Sequence, residues 1–372
     1  MSGELLLVGS IPVETAEQAF RQVGAPLGLW LAYMPDGEVG ERSYWIDGLA
    51  YRVFNGHPEI ETIKRPAPDD DGVEWWKPRG RHDEFAFRVK PGIKKVRFGD
   101  PGWRLGYTRD AVNSYAIFRA LKKEGVIPAH VRFQVCLPLT YSAVTYFFPE
   151  PGDVEKVVPG ITDAFRAEIA KMVELIPPQD LAIQWDLAIE HRLIENKMAE
   201  DPKAGQREAE RVMAPAGEIA IPNAVALGHH ACFGTLNGWP SRQPANLEGA
   251  VLLLNAAIAA SNRRVDFLHI PTLGSTEDSF FAPLKDLKVG SARTYIGAIH
   301  HLHGAKGLRA QLDAVRKYLP KFGLAAPCGW GRAPERPGRL LSEKDGKIAN
   351  PVEIIVRDHK AAVDALREVV GS

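Results

Sequence analysis

Residues 181–187 read LAIQWDL, and residues 224–232 read AVALGHHAC. Both runs are apolar over successive positions rather than alternating, which is the pattern of a parallel strand covered on both faces. Both also end in residues that can carry chemistry, Asp186 in the first and His230-Ala231-Cys232 in the second. Residues 188–212, between them, are highly charged and read as helix. A strand, a helix and a second buried strand in that order imply a right-handed βαβ unit.

Six further runs of the same kind lie at 5–10, 27–33, 131–138, 265–271, 294–300 and 322–328. Helical patterns fall at 14–23, 109–124, 161–175, 247–261, 308–319 and 351–370. Eight strands alternating with helices predict a single α/β domain over residues 1–372, a (β/α)8 barrel of the TIM type. A doubly wound open sheet is the alternative, since sequence does not show closure. One segment interrupts the rhythm. After the second strand, residues 36–107 form a long aromatic-rich insert with Trp45, Trp75, Trp76 and Trp103, expected to cap the C-terminal face of the barrel. It reads equally as a binding loop or as a packed excursion with its own small core. Residues 332–350 are a polar loop before the last helix.

The chain of 372 residues has 46 basic and 46 acidic residues, so its formal net charge is zero. That balance argues against wholesale binding to nucleic acid or to an anionic membrane, both of which need a basic surface. The expected partner is a small-molecule substrate, and a homodimer is compatible with the composition. The apolar run at 5–8 is too short for a secretory signal and follows Glu4 rather than a basic segment. No stretch reaches the length of a transmembrane helix. With three cysteines against eleven histidines there is no disulfide framework, and a cytoplasmic location is expected.

Barrel enzymes carry their catalytic residues at the C-terminal ends of the strands. Here those ends carry Ser10, Asp36 and Glu38, Asp186, His230 and Cys232, His269, His300 and His301, and Cys328. Alternate residues of a strand face the same side, so His230 and Cys232 can point into one site. Thiolate and imidazole together suit tetrahedral Zn2+. Spacing alone leaves the other reading open, in which the cysteines are small buried hydrophobes and the histidines bond backbone carbonyls.

Five motifs in order resemble a known family. They are Val8-Gly9-Ser10-Ile11-Pro12, Ile183-Gln184-Trp185-Asp186, His230-Ala231-Cys232 followed by Phe233-Gly234, Val265-Asp266-Phe267-Leu268-His269, and Pro327-Cys328-Gly329-Trp330. Together they are similar to the C-terminal catalytic domain of cobalamin-independent methionine synthase and its single-domain relatives, within a barrel superfamily shared with uroporphyrinogen decarboxylase. That family holds zinc by His, Cys, Glu and Cys. The resemblance carries this onto His230, Cys232 and Cys328, with His269 standing where the family has its glutamate. If His269 is a ligand, the site is Cys2His2. If it is not, three ligands leave an open position, the catalytic arrangement. The resemblance also implies that Gly9-Ser10 and Asp186 hold the polar groups of an amino-acid substrate. The family's pterin-facing segment corresponds to residues 138–144, PLTYSAV, where its tryptophan is missing and Tyr141 or Tyr146 stands in.

Two functions follow. One is a zinc-dependent methyltransferase-like enzyme that activates a thiol or water at the metal for one-carbon transfer, with Asp186 orienting the acceptor and His300 or His301 moving a proton. The other is a carbon–carbon lyase, demethylase or decarboxylase on the same barrel, acting on an aromatic small molecule held by Trp45 and its neighbours. Asp36, Glu38 and Arg42 read either as polar substrate contacts or as an ordinary acidic turn. A barrel that only binds a ligand is the third class.

Overall fold

A computed structural model describes residues 3–68, 72, 84–99, 105–234, 240–300, 303–330 and 351–370, apart from the side chains of Glu41, Tyr44 and Pro351. Its strands are β1 (Leu5–Leu6), β2 (Tyr33–Pro35), β3 (Ile60–Lys64), β4 (Ala86–Val89), β5 (Arg132–Pro138), β6 (Leu181–Leu187), β7 (Ala226–Ala231), β8 (Phe267–Pro271), β9 (Arg293–Gly297) and β10 (Gly323–Ala325). Eight of them form one parallel sheet in the order β1-β10-β9-β8-β7-β6-β5-β2. A further parallel bridge, Leu5 to Leu31, joins the two ends just before β2. The sheet is therefore a nearly closed TIM barrel with helices between its strands.

Several expected boundaries move: the helix at 161–175 begins at Asp153, the strands at 5–10 and 322–328 shorten to Leu5–Leu6 and Gly323–Ala325, and two further differences have clear local causes. The run at 27–33 was read as the second strand, but Ala25–Leu27 is the last turn of a helical stretch that starts at Ala16. The chain then turns, leaving Leu29 71% exposed, and the strand begins only at Tyr33. Apolar composition alone did not separate that turn from a strand. The charged segment 188–212 is two helices, Ile189–Glu200 and Pro202–Glu218. Asp201 breaks it: its carboxylate accepts from the Lys203 and Ala204 amides, and Pro202 fills the first helical position.

The barrel interior is layered. At the N-terminal end Leu6, Val8, Tyr33, Phe267, Tyr295 and Ala325 pack together, and the Tyr33 and Phe267 rings stack at 4.6 Å. Gly228 on β7 makes room for this layer, since a β-carbon there would stand 2.1 Å from the Phe267 ring. Above it the interior turns polar. Gln134 Nε2 donates to the Leu7 carbonyl (3.0 Å) and to Gln184 Oε1 (3.1 Å), and Gln184 Nε2 donates to the Val8 carbonyl (2.6 Å). Cys136, which reads from sequence as ordinary core, sits in this polar layer with its thiol 3.3 Å from the Val8 carbonyl. The large apolar core lies outside the strands, under the helices.

Within the insert, β3 and β4 pair antiparallel, and Phe54 packs within 6.0 Å of the Phe87, Phe98, Phe147 and Phe148 rings. Trp75, Trp76 and Trp103 lie outside the described residues. The helix after β6 begins without a cap of its own. Instead the Ser142 hydroxyl accepts from the amides of Ala188 (3.2 Å) and Ile189 (3.1 Å) and bonds the Glu190 carboxyl. That cross-connection fixes the first turn of the helix against the barrel rim. No described helix is long and apolar enough to cross a membrane.

Candidate functional site

Strand register sets the floor of the site. Pro138 pairs with Asp186, Asp186 with His230 and His230 with His269, so the last three lie abreast on β6, β7 and β8. Above this row opens a cavity of about 1080 Å³, its mouth included. Strand ends supply Ser10, Asp186, His230, Cys232 and Cys328 to its wall, and the insert supplies Glu38, Ser43, Trp45 and Asp47. The rest includes Tyr146, Phe147, Arg192, Phe233, Ser241 and Arg242.

His230, Cys232 and Cys328 form one group, with their ligand atoms all within 4.8 Å of one another. The two thiol sulfurs are 3.4 Å apart, and the Cys328 sulfur is 3.9 Å from His230 Nε2. On a tetrahedral zinc with S at about 2.3 Å and N at about 2.0 Å, neighbouring ligand atoms stand about 3.5–3.8 Å apart. These spacings and this donor set fit such an ion. The Gly234 amide donates to the Cys232 sulfur at 3.3 Å, a contact that favours thiolate. Without a cation, the Cys232 thiol is pushed well above its usual range by its hydrogen bond to Cys328 and by burial. A cation between the sulfurs would reverse that preference.

His269 stands behind this group. Its Nε2 lies 2.9 Å from the Ala326 carbonyl and its Nδ1 lies 2.6 Å from His230 Nδ1. A carbonyl only accepts, so His269 Nε2 carries the hydrogen. Burial, with His230 as neighbour, holds the His269 pKa well below its usual value, against the pull of the Ala326 and Ala231 carbonyls. A hydrogen bond donated by His230 Nδ1 to His269 Nδ1 would leave the lone pair of His230 Nε2 on the side of the cysteines, the tautomer a metal ligand needs.

Beside the group lies a carboxyl pair. Gln184 Nε2 donates to Asp186 Oδ1 at 2.8 Å. Burial first, and the Glu38 carboxylate second, push the Asp186 pKa well above the usual range. Glu38 reaches the barrel axis over Gly9, where a β-carbon would be 3.2 Å from its carboxyl carbon. Its backbone is left-handed (φ 49°), as is that of Trp45 (φ 55°), and both residues line the cavity. Such conformations cost about 1–3 kcal/mol each and persist only where the surroundings impose them. Asp36 does this for Glu38. Its carboxylate accepts from the Glu38 amide (3.0 Å), from Arg42 (2.7 and 3.2 Å) and from the Ser114 hydroxyl (2.6 Å).

No family model matches the chain, and no curated protein does. Solved structures do. A B12-independent methionine synthase from Shewanella sp. W3-18-1, in complex with selenomethionine, superposes with a TM-score of 0.55 at 14% identity, covering 95% of this chain and 88% of that one. At that identity the likeness is one of fold: a distant TIM-barrel relationship. D-psicose 3-epimerase in the presence of D-fructose (TM-score 0.40, 13% identity, 72% and 87% covered) and IOLI protein with a binding zinc atom (0.39, 13%, 76% and 91%) also match.

The remaining candidates from sequence are scattered. Ser10, Glu38, Trp45 and Asp186 reach the cavity with His230, Cys232 and Cys328, whereas Asp36 acts one layer below, on the turn that carries Glu38. Tyr141 is not among the lining residues; its hydroxyl accepts from Arg211 at 2.7 Å, and the same guanidinium covers its ring. His300 is buried against His303, ring centroids 5.0 Å apart, and is not in the cavity wall; His301 lies outside the described residues. Of the described tryptophans, Trp45 alone lines the cavity; Trp185 packs on Phe165 and Trp330 on His359. Sequence reading passed over Arg192 and Arg242. Arg192 had a usable signal, because it stands in the first turns of the helix leaving the Asp186 strand, which face the rim of a barrel.

Proposed function

We propose that this chain is a zinc-dependent enzyme that activates a thiol for one-carbon transfer. One observation carries the reading: the ligand atoms of His230, Cys232 and Cys328 converge within 4.8 Å of one another on the wall of the cavity, and His269 bonds the Ala326 carbonyl instead. Three ligands with a fourth position toward the cavity is the catalytic arrangement of zinc rather than the structural one. Bound there, the ion would supply a Lewis acid that lowers the pKa of a substrate thiol or of water.

The protein's own groups divide the remaining work. His230 is held by His269 with its ligand nitrogen forward. Asp186, whose carboxyl burial and Glu38 bias toward the protonated form, is the proton donor to a leaving group, and Gln184 steadies it through Oδ1. In this reading Asp186 replaces His300 as the acid, because His300 is outside the cavity wall. Ser10 and Glu38 orient the polar end of the substrate. Trp45, Tyr146 and Phe147 give the cavity an apolar side, which also suits the lyase or decarboxylase reading with metal-bound water.

Cobalt substitution separates the two. Protein reconstituted with Co2+ is titrated with homocysteine and, separately, with benzoate. Thiol activation predicts a sulfur-to-cobalt charge-transfer band that grows with homocysteine and is absent in Cys328→Ser. A spectrum that homocysteine leaves unchanged contradicts the proposal.

A further inference from the structure

The cavity has a second set of groups that neither the metal site nor the acid pair uses. Arg192 Nε, Trp45 Nε1 and Ser241 Oγ are all buried, all able to donate, and without a hydrogen-bond partner among the described residues. All three residues line the same cavity. A buried donor left unpaired is costly, typically about 1–3 kcal/mol, and native structures keep few of them. Three donors around one space mark where an acceptor-rich group belongs.

Two arginines stand beside these donors. Arg192 lies in the first turns of the helix Ile189–Glu200, where a cation opposes the positive end of the helix dipole. Its guanidinium packs on the Tyr146 ring at 4.8 Å, which supports the plane without neutralising it. Arg242, on the same wall, is already paired with Glu195 and donates to the Cys232 carbonyl at 3.3 Å. Burial, and then the charge of Arg192, lower Arg242 to about 10, and both arginines line the cavity. Four acidic residues, Glu38, Asp47, Glu84 and Asp186, share the wall with them, so it is the three donors rather than net charge that call for an acceptor. Glu38 and Asp186 sit at the barrel axis, against Gly9 and Cys136.

We propose that the cavity is built for an organic acid, whose carboxylate is held by Arg192 with Ser241 and Trp45, and whose body lies along Tyr146 and Phe147 toward the cysteines. Arginine meets a planar carboxylate through paired donors, which a lysine cannot reproduce. The inference rests on the reading of this cavity as the active site, and it does not need the metal.

The test uses benzoate and its neutral counterpart, benzyl alcohol, with the full chain and calorimetric detection. Benzoate binds the wild type at least about tenfold more tightly than benzyl alcohol. In Arg192→Gln that ratio falls to about one; in Arg192→Lys it is intermediate, and in Ser241→Ala it drops severalfold. Zinc content is measured on every variant and stays at the wild-type level. Equal binding of the two probes by the wild type, or no benzoate binding up to about 10 mM, overturns the proposal. So does an Arg192→Gln variant that keeps the benzoate preference. The metal reading fails separately: a Cys328→Ser protein with full zinc sinks that reading, whereas its benzoate preference reports on Arg192 alone.

Discussion

At the scale of single residues, the informative one is His269. In sequence it stands in line with His230, on the neighbouring strand and at the position where the resembling family has a metal-ligating glutamate. Its place on β8 was legible there, but the direction of its hydrogen bonds was not. Those depend on the Ala326 carbonyl, which is 57 residues away in the chain. The account makes it the residue that orients the ligand. His269→Gln is therefore expected to weaken zinc binding by roughly ten- to a hundredfold, as outer-shell partners do. His230→Ala, which removes a ligand, loses more. Competition against a zinc-chelating dye measures both, and equal losses in the two variants would make His269 a ligand after all.

At the scale of elements, the order of strands and helices is legible in the sequence, and most strand limits are not. The strand at 181–187 and the helix at 351–370 have the limits their patterns suggest, because continuous apolar runs and 3.6-residue periodicity are local signals. The turn after β2 was not legible, since its order comes from long-range partners. Besides Glu38 and Arg42, Asp36 is bonded by Ser114, from a helix 78 residues on. Burial alone would raise the Asp36 pKa, but Arg42, Ser114 and the Glu38 amide outweigh it and hold the carboxyl below its ordinary 3.8. A depressed folded pKa means stability that is present above 3.8 and lost as pH falls through the lower folded value. Asp36→Ala removes the nearer of the two carboxylates paired with the buried Arg42, Asp110 remaining at 3.5 Å, at a cost of about 2–3 kcal/mol near neutral pH. Urea unfolding should show that gap narrowing in acid below the ordinary carboxylate pKa. A gap independent of pH would mean that Asp36 is not the charged anchor of this turn.

At the scale of the whole molecule, the barrel does what no local segment can. It brings Cys328, from the loop after β10, to within 3.4 Å of Cys232, 96 residues earlier and three strands away around the sheet. That convergence was anticipated in sequence only through the assumption of closure, which the parallel register and the Leu5–Leu31 bridge now supply. The aromatic side of the cavity was anticipated less well: of the described tryptophans Trp45 alone lines it, and Tyr146, Phe147 and Phe233 share the role. Zero net charge is consistent with a function concentrated inside one cavity rather than spread over a surface. The most direct test of the account is the zinc content of the purified chain, by elemental analysis, beside Cys232→Ser and Cys328→Ser. One zinc per chain in the wild type, and about tenfold less in each variant, is the predicted result. A wild type that takes up no zinc from a zinc-containing buffer, or serine variants that retain it in full, would contradict the account.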